Sequence, residues 1–285
     1  MTFKTIWLAP SLLVLTFTVS PVLADRAHDL AAQAGTLQPT KCKDVPDFKA
    51  CHAKYPAGCG KTAKSNYDSY LNFLKNQVPD PALALNRIFS ELKDFQSLDE
   101  ATPPGLKRSN HAEHAETLAD QGEGNIFGVI GYLYAVTREH EESTNCYLDD
   151  GVNTDFHIWI GFDEEVATKL RGGWKPKGAA LREIKQEGVI VEMTPHYRAQ
   201  HHPKWTLTRV RAQVGRQVKV IGQLMNDNEH LIPTQNCAHP DADFDKCWRG
   251  SAWELHPVIQ FYVCPSPGTP CSEDSPSWKK LDDLP

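Results

Sequence analysis

The sequence predicts an α+β protein, mainly β, in which a five-stranded barrel follows a short helical region that carries cysteines. Three observations support this prediction. Residues 126–264 contain five segments rich in β-branched and aromatic residues, several of which alternate apolar and polar side chains. Residues 66–95 place apolar residues at helical spacing. All eight cysteines lie after the first 24 residues, and an even cysteine count is typical of disulfides in exported chains.

The first 24 residues have the pattern of a secretory signal. Lys4 precedes an apolar stretch that is richest from Leu12 to Val19, and Val22-Leu23-Ala24 resembles a cleavage site. A membrane anchor is the alternative, but the apolar stretch is short, contains Pro10 and is followed by no stop-transfer pattern. We therefore expect cleavage before Asp25 and a periplasmic or extracellular protein without a transmembrane span.

The charge of the chain disfavours a general affinity for nucleic acid or anionic lipid. The formal net charge is −6, and loss of Lys4 with the signal leaves −7. Two basic segments, residues 169–185 and 196–216, are the features that favour an anionic ligand. We divide the chain into a signal (1–24), a helical, cystine-bearing region (25–108), a barrel (109–264) with an insertion (161–188), and a C-terminal tail (265–285).

The region before the barrel is predicted to be irregular at first and helical later. Residues 66–77 have helical periodicity, and a second helix is expected from Pro81, with Asp80 as its N-cap. The apolar stripe of this second helix is Leu85, Ile88, Phe89, Leu92 and Phe95. Such a stripe indicates a face packed on the core.

A third helix is expected after Ser109, closed by Gly122. His111 and His114 share one face of it and could bind a metal ion. Two solvated histidines on a polar helix are the commoner arrangement.

The five strands are predicted at Phe127–Thr137, Asp155–Gly161, Val189–Thr194, Gln217–Met225 and Ala252–Cys264. In the second strand, Phe156, Ile158 and Ile160 face one way, and Asp155, His157 and Trp159 face the other. In the fifth strand, Glu254 and His256 share one face, and Trp253 and Leu255 share the opposite face.

The order of these elements resembles an OB-fold barrel. A short helical segment, residues 206–215, lies between the third and fourth strands, and glycines mark bends in the first and fourth strands. The pattern V-x-V-x-G-x-L from Val218 to Leu224 is similar to the fourth strand of that fold. The resemblance covers residues 126–264 and carries no catalytic motif. The whole sequence also resembles exported bacterial proteins of unassigned function.

The resemblance implies that the second strand pairs with the third and the third with the fifth. That pairing would gather His157, Glu192, Glu254 and His256 on one face. Such a cluster could contact a ligand, form an acid/base pair, or be a structural set of hydrogen bonds that Trp159 buries. The structural interpretation carries the most weight. The candidate metal ligands are His157, Asp227, His230 and His256.

A second candidate site follows the third strand. His196, Tyr197 and Arg198 begin a segment of imidazoles, aromatic rings and cations that continues to Trp205. Aromatic residues interleaved with bases can stack on nucleobases or sugars. A solvated loop is the alternative.

The spacing of the cysteines predicts two local disulfides, Cys237–Cys247 and Cys264–Cys271. The remaining cysteines, which are Cys42, Cys51, Cys59 and Cys146, would pair among themselves and tie the N-terminal region to the barrel. The absence of a C-x-x-C pair in the sequence argues against a zinc ribbon.

The sequence favours an exported OB-fold-like protein that binds an oligomeric ligand, either an oligonucleotide or an oligosaccharide. One alternative is a metal-dependent hydrolase, such as a nuclease or phosphodiesterase, which would require a divalent metal. Another is a structural protein of the cell envelope. The sequence contains no P-loop, dinucleotide fingerprint or nucleophile elbow, so it leaves open whether the protein is an enzyme.

Overall fold

The computed structural model describes residues 21–62, 67–266 and 268–285. The predicted signal therefore lies outside the described residues, except for its last four positions. Among the described residues, no helix combines the length and the apolar character that crossing a bilayer requires.

The strands form one sheet that closes into a barrel. In chain order they are β1 Ile88–Phe89, β2 Ile126–Arg138, β3 Phe156–Gly161, β4 Gly188–Met193, β5 Gln217–Asn226, β6 Trp253–Val263 and β7 Lys279–Lys280. Strand β2 pairs antiparallel with β3, β3 antiparallel with β4, β4 parallel with β6, and β6 antiparallel with β5. The antiparallel pairing of β5 with β2 closes the barrel. This is the predicted OB-fold-like strand order, and the predicted fold class is confirmed.

The barrel core is formed by the apolar face that the sequence predicted. Phe156, Ile158 and Ile160 of β3 are buried in one cluster with Trp253 and Leu255 of β6. The bend in β5 requires a glycine, because a Cβ atom at Gly222 would lie 2.7 Å from a carbonyl oxygen of β6. The opposite, polar faces of β3, β4 and β6 are therefore left to form a second layer of contacts outside the core.

Nine α-helices surround the barrel in the described part of the chain. Those before it are α1 Pro21–Ala31, α2 Phe48–Lys54, α3 Ser69–Lys75, α4 Leu92–Ala101 and α5 Ala115–Asp120. Those between strands are α6 Glu164–Arg171, α7 Ala179–Gln186, α8 Pro195–His201 and α9 Leu207–Arg211. The predicted helices at 66–77, after Ser109 and within 206–215 correspond to α3, α5 and α9.

The helix predicted from Pro81 is wrong in its position. The carboxylate of Asp80 accepts a hydrogen bond from the amide of Ala82, which forms a turn and not a longer helix. Residues 88–89 form the edge strand β1, paired in parallel with β2. The helix begins only at α4, where Glu91 and Asp94 form a capping box. Strand pairing and this local cap override the helical periodicity.

The residues after β4, predicted as a solvated loop or a ligand-binding segment, include a helix. Pro195 is at the first turn of α8, and the hydroxyl of Thr194 accepts a hydrogen bond from the amide of Tyr197. The insertion between β3 and β4 also folds into helices, α6 and α7, which pack with Trp159 and Ile190 on the outer face of the barrel.

Four disulfides join the eight cysteines. The predicted local bridges Cys237–Cys247 and Cys264–Cys271 are both present. The other two bridges are Cys42–Cys59 and Cys51–Cys146. The last of these ties α2 to the β2–β3 connection, so the prediction that the N-terminal cysteines anchor that region to the barrel is confirmed.

Candidate functional site

Strands β3, β4 and β6 bring the four predicted residues into one cluster. His157 and Glu192 are register partners, and Nε2 of His157 contacts Oε1 of Glu192. Nδ1 of His256 lies 3.0 Å from Oε2 of Glu192 and 3.1 Å from Oε1 of Glu254. The cluster is not an open surface, however. Glu192, Glu254 and His256 have no solvent exposure, and His157 is 6 % exposed.

Two buried cations that sequence reasoning missed complete this cluster. The guanidinium of Arg249 lies 2.5 Å from Oε2 of Glu254 and 3.3 Å from Oδ2 of Asp227. Nζ of Lys75, at the end of α3, lies 3.5 Å from the same oxygen of Asp227. The sequence does indicate that cations are needed here. Two acids lie on strands as apolar as β4 and β6, and buried acids require positive partners.

The buried cluster is balanced in charge. Its carboxylates are Asp155, Glu192, Asp227 and Glu254, and its cationic groups are Lys75, His157, Arg249 and His256. Water cannot screen charges in such a place, so each carboxylate depends on a partner.

The pairing shifts the pKa of each imidazole and of the central carboxylate. Burial alone would lower the pKa of His157, but Glu192 and Glu139 raise it to about 9. Burial would also lower the pKa of His256, but Glu192, Glu254 and Asp155 raise it to about 10. Burial would raise the pKa of Glu192, but the two imidazoles hold it well below its usual range.

His157 connects the buried cluster to a cleft in the surface, which we call the acidic cleft. This cleft has a volume of about 420 Å³. It is lined by Tyr67, Lys75, Arg108, Glu139, Glu141, Glu142, Ser143, Thr144, Tyr147, His157, Glu229, His230 and Trp248. Its acids therefore outnumber its lysine and arginine, and three aromatic rings form part of its wall.

Two carboxylates stand beside His157 in the acidic cleft, and the sequence analysis did not single them out. Nδ1 of His157 lies 3.1 Å from Oε1 of Glu139, which also accepts a hydrogen bond from the hydroxyl of Thr137. Glu139, Glu142 and His157 each offer a ligand atom, and these atoms all lie within 4.8 Å of one another. Burial raises the pKa of Glu142 to about 8, although Lys75 lowers it.

The other predicted ligand-binding residues are largely enclosed by the protein. Trp159 is 2 % exposed, and its indole nitrogen donates to the carbonyl of Trp248. Tyr197 is fully buried. Arg198 is 6 % exposed and donates to the backbone carbonyls of Met193, Val152 and Thr154. These contacts place Arg198 in a structural role.

Of the three residues that begin the second predicted site, His196 is partly exposed, whereas Tyr197 and Arg198 are buried. Its ring lies 4.0 Å from the ring of His52 on α2, measured between centroids. Burial and the neighbouring imidazoles of His52 and His201 lower the pKa of His196 to about 4. The pair is therefore uncharged at neutral pH and joins α2 to α8.

The four predicted metal ligands do not all converge on one point, although Nε2 of His230 lies 3.5 Å from Oδ2 of Asp227. His256 is sealed in the buried cluster, and Asp227 is paired with two cations there. His230 lines the acidic cleft, where its Nδ1 lies 2.9 Å from Oε1 of Gln235. His111 and His114 do not form a pair either. Nε2 of His111 lies 2.8 Å from a carboxylate oxygen of Glu123, and His114 contacts Asn110.

A second cavity adjoins the acidic cleft, and we call it the apolar cavity. Its volume is about 720 Å³, and much of its wall is apolar, with Pro103, Leu106 and Ile232 among its lining residues. Arg108 and Glu229 line both cavities, and Nε of Arg108 lies 3.4 Å from Oε1 of Glu229. This ion pair therefore stands between the two cavities.

Neither the models of known protein families nor the curated proteins with which the chain was compared give a match.

Proposed function

We propose that the protein is an exported OB-fold-like binding protein that takes an oligosaccharide into the acidic cleft and the apolar cavity. The observation that carries this proposal is that the two cavities share Arg108 and Glu229. An ion pair between these side chains, of which Arg108 is 67 % exposed, is weak and can open without a large cost. An elongated ligand would then pass from one cavity into the other.

The lining chemistry favours a sugar over a nucleic acid. Tyr147 and Trp248, which are partly exposed, supply aromatic rings with polar edges, which suit the apolar face and the hydroxyls of a sugar ring. Carboxylates accept hydrogen bonds from sugar hydroxyls, whereas they repel a phosphate backbone. Export is supported by the four disulfides, which persist in oxidising compartments.

Titration calorimetry with neutral oligosaccharides of two, four and six units tests the proposal, with single-stranded DNA of similar length for comparison. We expect saturable binding that strengthens with chain length, since a longer chain reaches both cavities. Tyr147→Ala should weaken binding by about 5- to 150-fold, since loss of one stacked aromatic ring costs roughly 1–3 kcal/mol where nucleobases stack on such rings. Phe244→Ala removes an aromatic ring that is 63 % exposed and lines neither cavity, so it is the matched control. Binding of DNA alone, or of none of the sugars, would refute the proposal.

A metal-dependent hydrolase is the second candidate function. It is favoured by the two carboxylates that stand with His157 in the acidic cleft, because such a group can bind a metal or transfer a proton. Release of nitrophenolate from bis(4-nitrophenyl) phosphate, with and without EDTA, tests it. A rate equal to that of buffer, with and without added divalent ions, would exclude a phosphodiesterase.

A further inference from the structure

We propose that a divalent transition-metal ion binds in the acidic cleft between Glu139, Glu142 and His157. The Nδ1–Oε1 distance between His157 and Glu139 is 3.1 Å. Two ligands that are each about 2.1 Å from one metal ion lie roughly 3.0–3.4 Å apart at octahedral or tetrahedral angles. The hydrogen-bonded spacing of these two groups therefore also suits a shared ion, and the ligand atoms of Glu139, Glu142 and His157 all lie within 4.8 Å of one another.

His157 is held from behind in the manner of a metal-ligating histidine. Its Nε2 contacts Glu192, which has no solvent exposure, while its Nδ1 faces the acidic cleft. A metal ion would displace the Nδ1 proton of His157, which leaves the N–H on Nε2 to donate to Glu192, as a ligating histidine usually does. Glu192 is in turn held by His256, so the orientation of His157 does not depend on a flexible side chain.

The other acidic groups of the described residues are poor candidates. Asp155, Glu192 and His256 form one such group, and Glu192, Asp227 and Glu254 form another. All of their members are buried, and Lys75 and Arg249 already neutralise the second group. The group at Glu139, Glu142 and His157 differs because it lines a cleft of about 420 Å³, through which an ion and water can enter.

The ligand set indicates which ion fits. One imidazole with two carboxylates suits Mn²⁺ or Zn²⁺ better than Ca²⁺ or Mg²⁺, which prefer oxygen ligands throughout. Three protein ligands leave at least one coordination position for water or for a bound ligand. The metal site goes beyond the sugar-binding proposal and does not depend on it.

Titration calorimetry of the full-length protein, stripped with a chelator and then mixed with ZnCl₂ or MnCl₂, tests the site. We expect one ion per chain, with Ca²⁺ and Mg²⁺ binding at least about tenfold more weakly. Glu139→Gln and Glu142→Gln should each weaken Zn²⁺ binding by at least about tenfold. Both side chains are partly exposed and lie outside the buried cluster, so the variants should fold, which circular dichroism checks.

Glu141→Gln is the matched control. Glu141 lines the same cleft and carries the same charge, but it is exposed and its carboxylate pairs with Lys61 at 3.3 Å. Its variant should bind Zn²⁺ as the unchanged protein does. An equal loss in all three variants would show a diffuse attraction of charges and overturn the proposal, as would the absence of saturable binding. Titration of the same variants with sugars, in the absence of metal, tests sugar binding separately, so failure of the metal site can be distinguished from failure of sugar binding.

Discussion

Replacement of Arg249 by methionine should strongly destabilise the protein, because two buried carboxylates share this cation. Its fully buried guanidinium lies 2.5 Å from Glu254 and 3.3 Å from Asp227. It also donates hydrogen bonds to the backbone carbonyls of Ser251 and Ala252. Methionine retains an unbranched stem but has no donor, so Asp227 and Glu254 each lose one of their cationic partners in a region that water does not reach.

The expected loss is large for a single substitution. Removal of one partner of a buried ion pair costs roughly 3–5 kcal/mol. In a protein of about this size, 1 kcal/mol shifts the melting temperature by about 2–4 °C, so the variant should melt about 6–20 °C lower. Urea unfolding, followed by tryptophan fluorescence, measures the free energy, and circular dichroism measures the melting temperature.

Two further variants separate charge burial from a general effect of the substitution. Arg108→Met removes a guanidinium from an exposed ion pair and should cost less than about 1 kcal/mol. Glu254→Gln, combined with Arg249→Met, should recover part of the loss because one unpaired charge is removed with its partner. An Arg249→Met protein within about 1 kcal/mol of the unchanged protein would refute the reasoning that these charges are shielded from water.

Three other perturbations have outcomes that the structure fixes. Replacing Cys51 and Cys146 by serine opens a cross-link between positions 95 residues apart, and the free energy of unfolding should fall by about 4–5 kcal/mol in urea titrations. The pKa of His196 is lowered to about 4 in the folded protein, so the contribution of this residue to stability should be complete above pH 6.5 and fall by about 1–2 kcal/mol towards pH 4. His196→Gln should flatten that part of the pH profile, and a profile that stays unchanged would contradict the assignment. Gly222→Ala should cost about 1–3 kcal/mol by overpacking the β5–β6 contact, whereas Gly35→Ala, which meets nothing within 4 Å, should not.

The barrel could be predicted from the sequence because the alternation of apolar and polar residues that identifies its strands lies within each strand. The alternation in Phe156–Gly161 and the pair of faces in Trp253–Leu255 fix which side chains enter the core. The two short disulfides followed from spacing in the same way. The helix expected from Pro81 failed because pairing with β2, a contact over about 40 residues, decides the structure of residues 88–89.

The candidate site could be predicted only in part. The cluster of His157, Glu192 and His256 follows from strand order, but its burial does not. The burial of these acids requires cations, but the sequence does not show which residues supply them: Lys75 comes from the region before the barrel, whereas Arg249 lies only five residues before Glu254. Three acids of the cleft belong to the sequence E-H-E-E, residues 139–142, in the β2–β3 connection. Such a polar run is typical of a solvated loop, and only the fold shows that it lies beside His157 of β3.

The position of Lys75 makes the helical region and the barrel interdependent during folding. The ammonium group comes from the region before residue 109, and the carboxylate that it faces comes from the end of β5. A chain that began at residue 109 would contain every barrel strand yet enclose an unbalanced negative charge. Such a fragment should populate an expanded state, and the two regions should acquire native structure in one cooperative step.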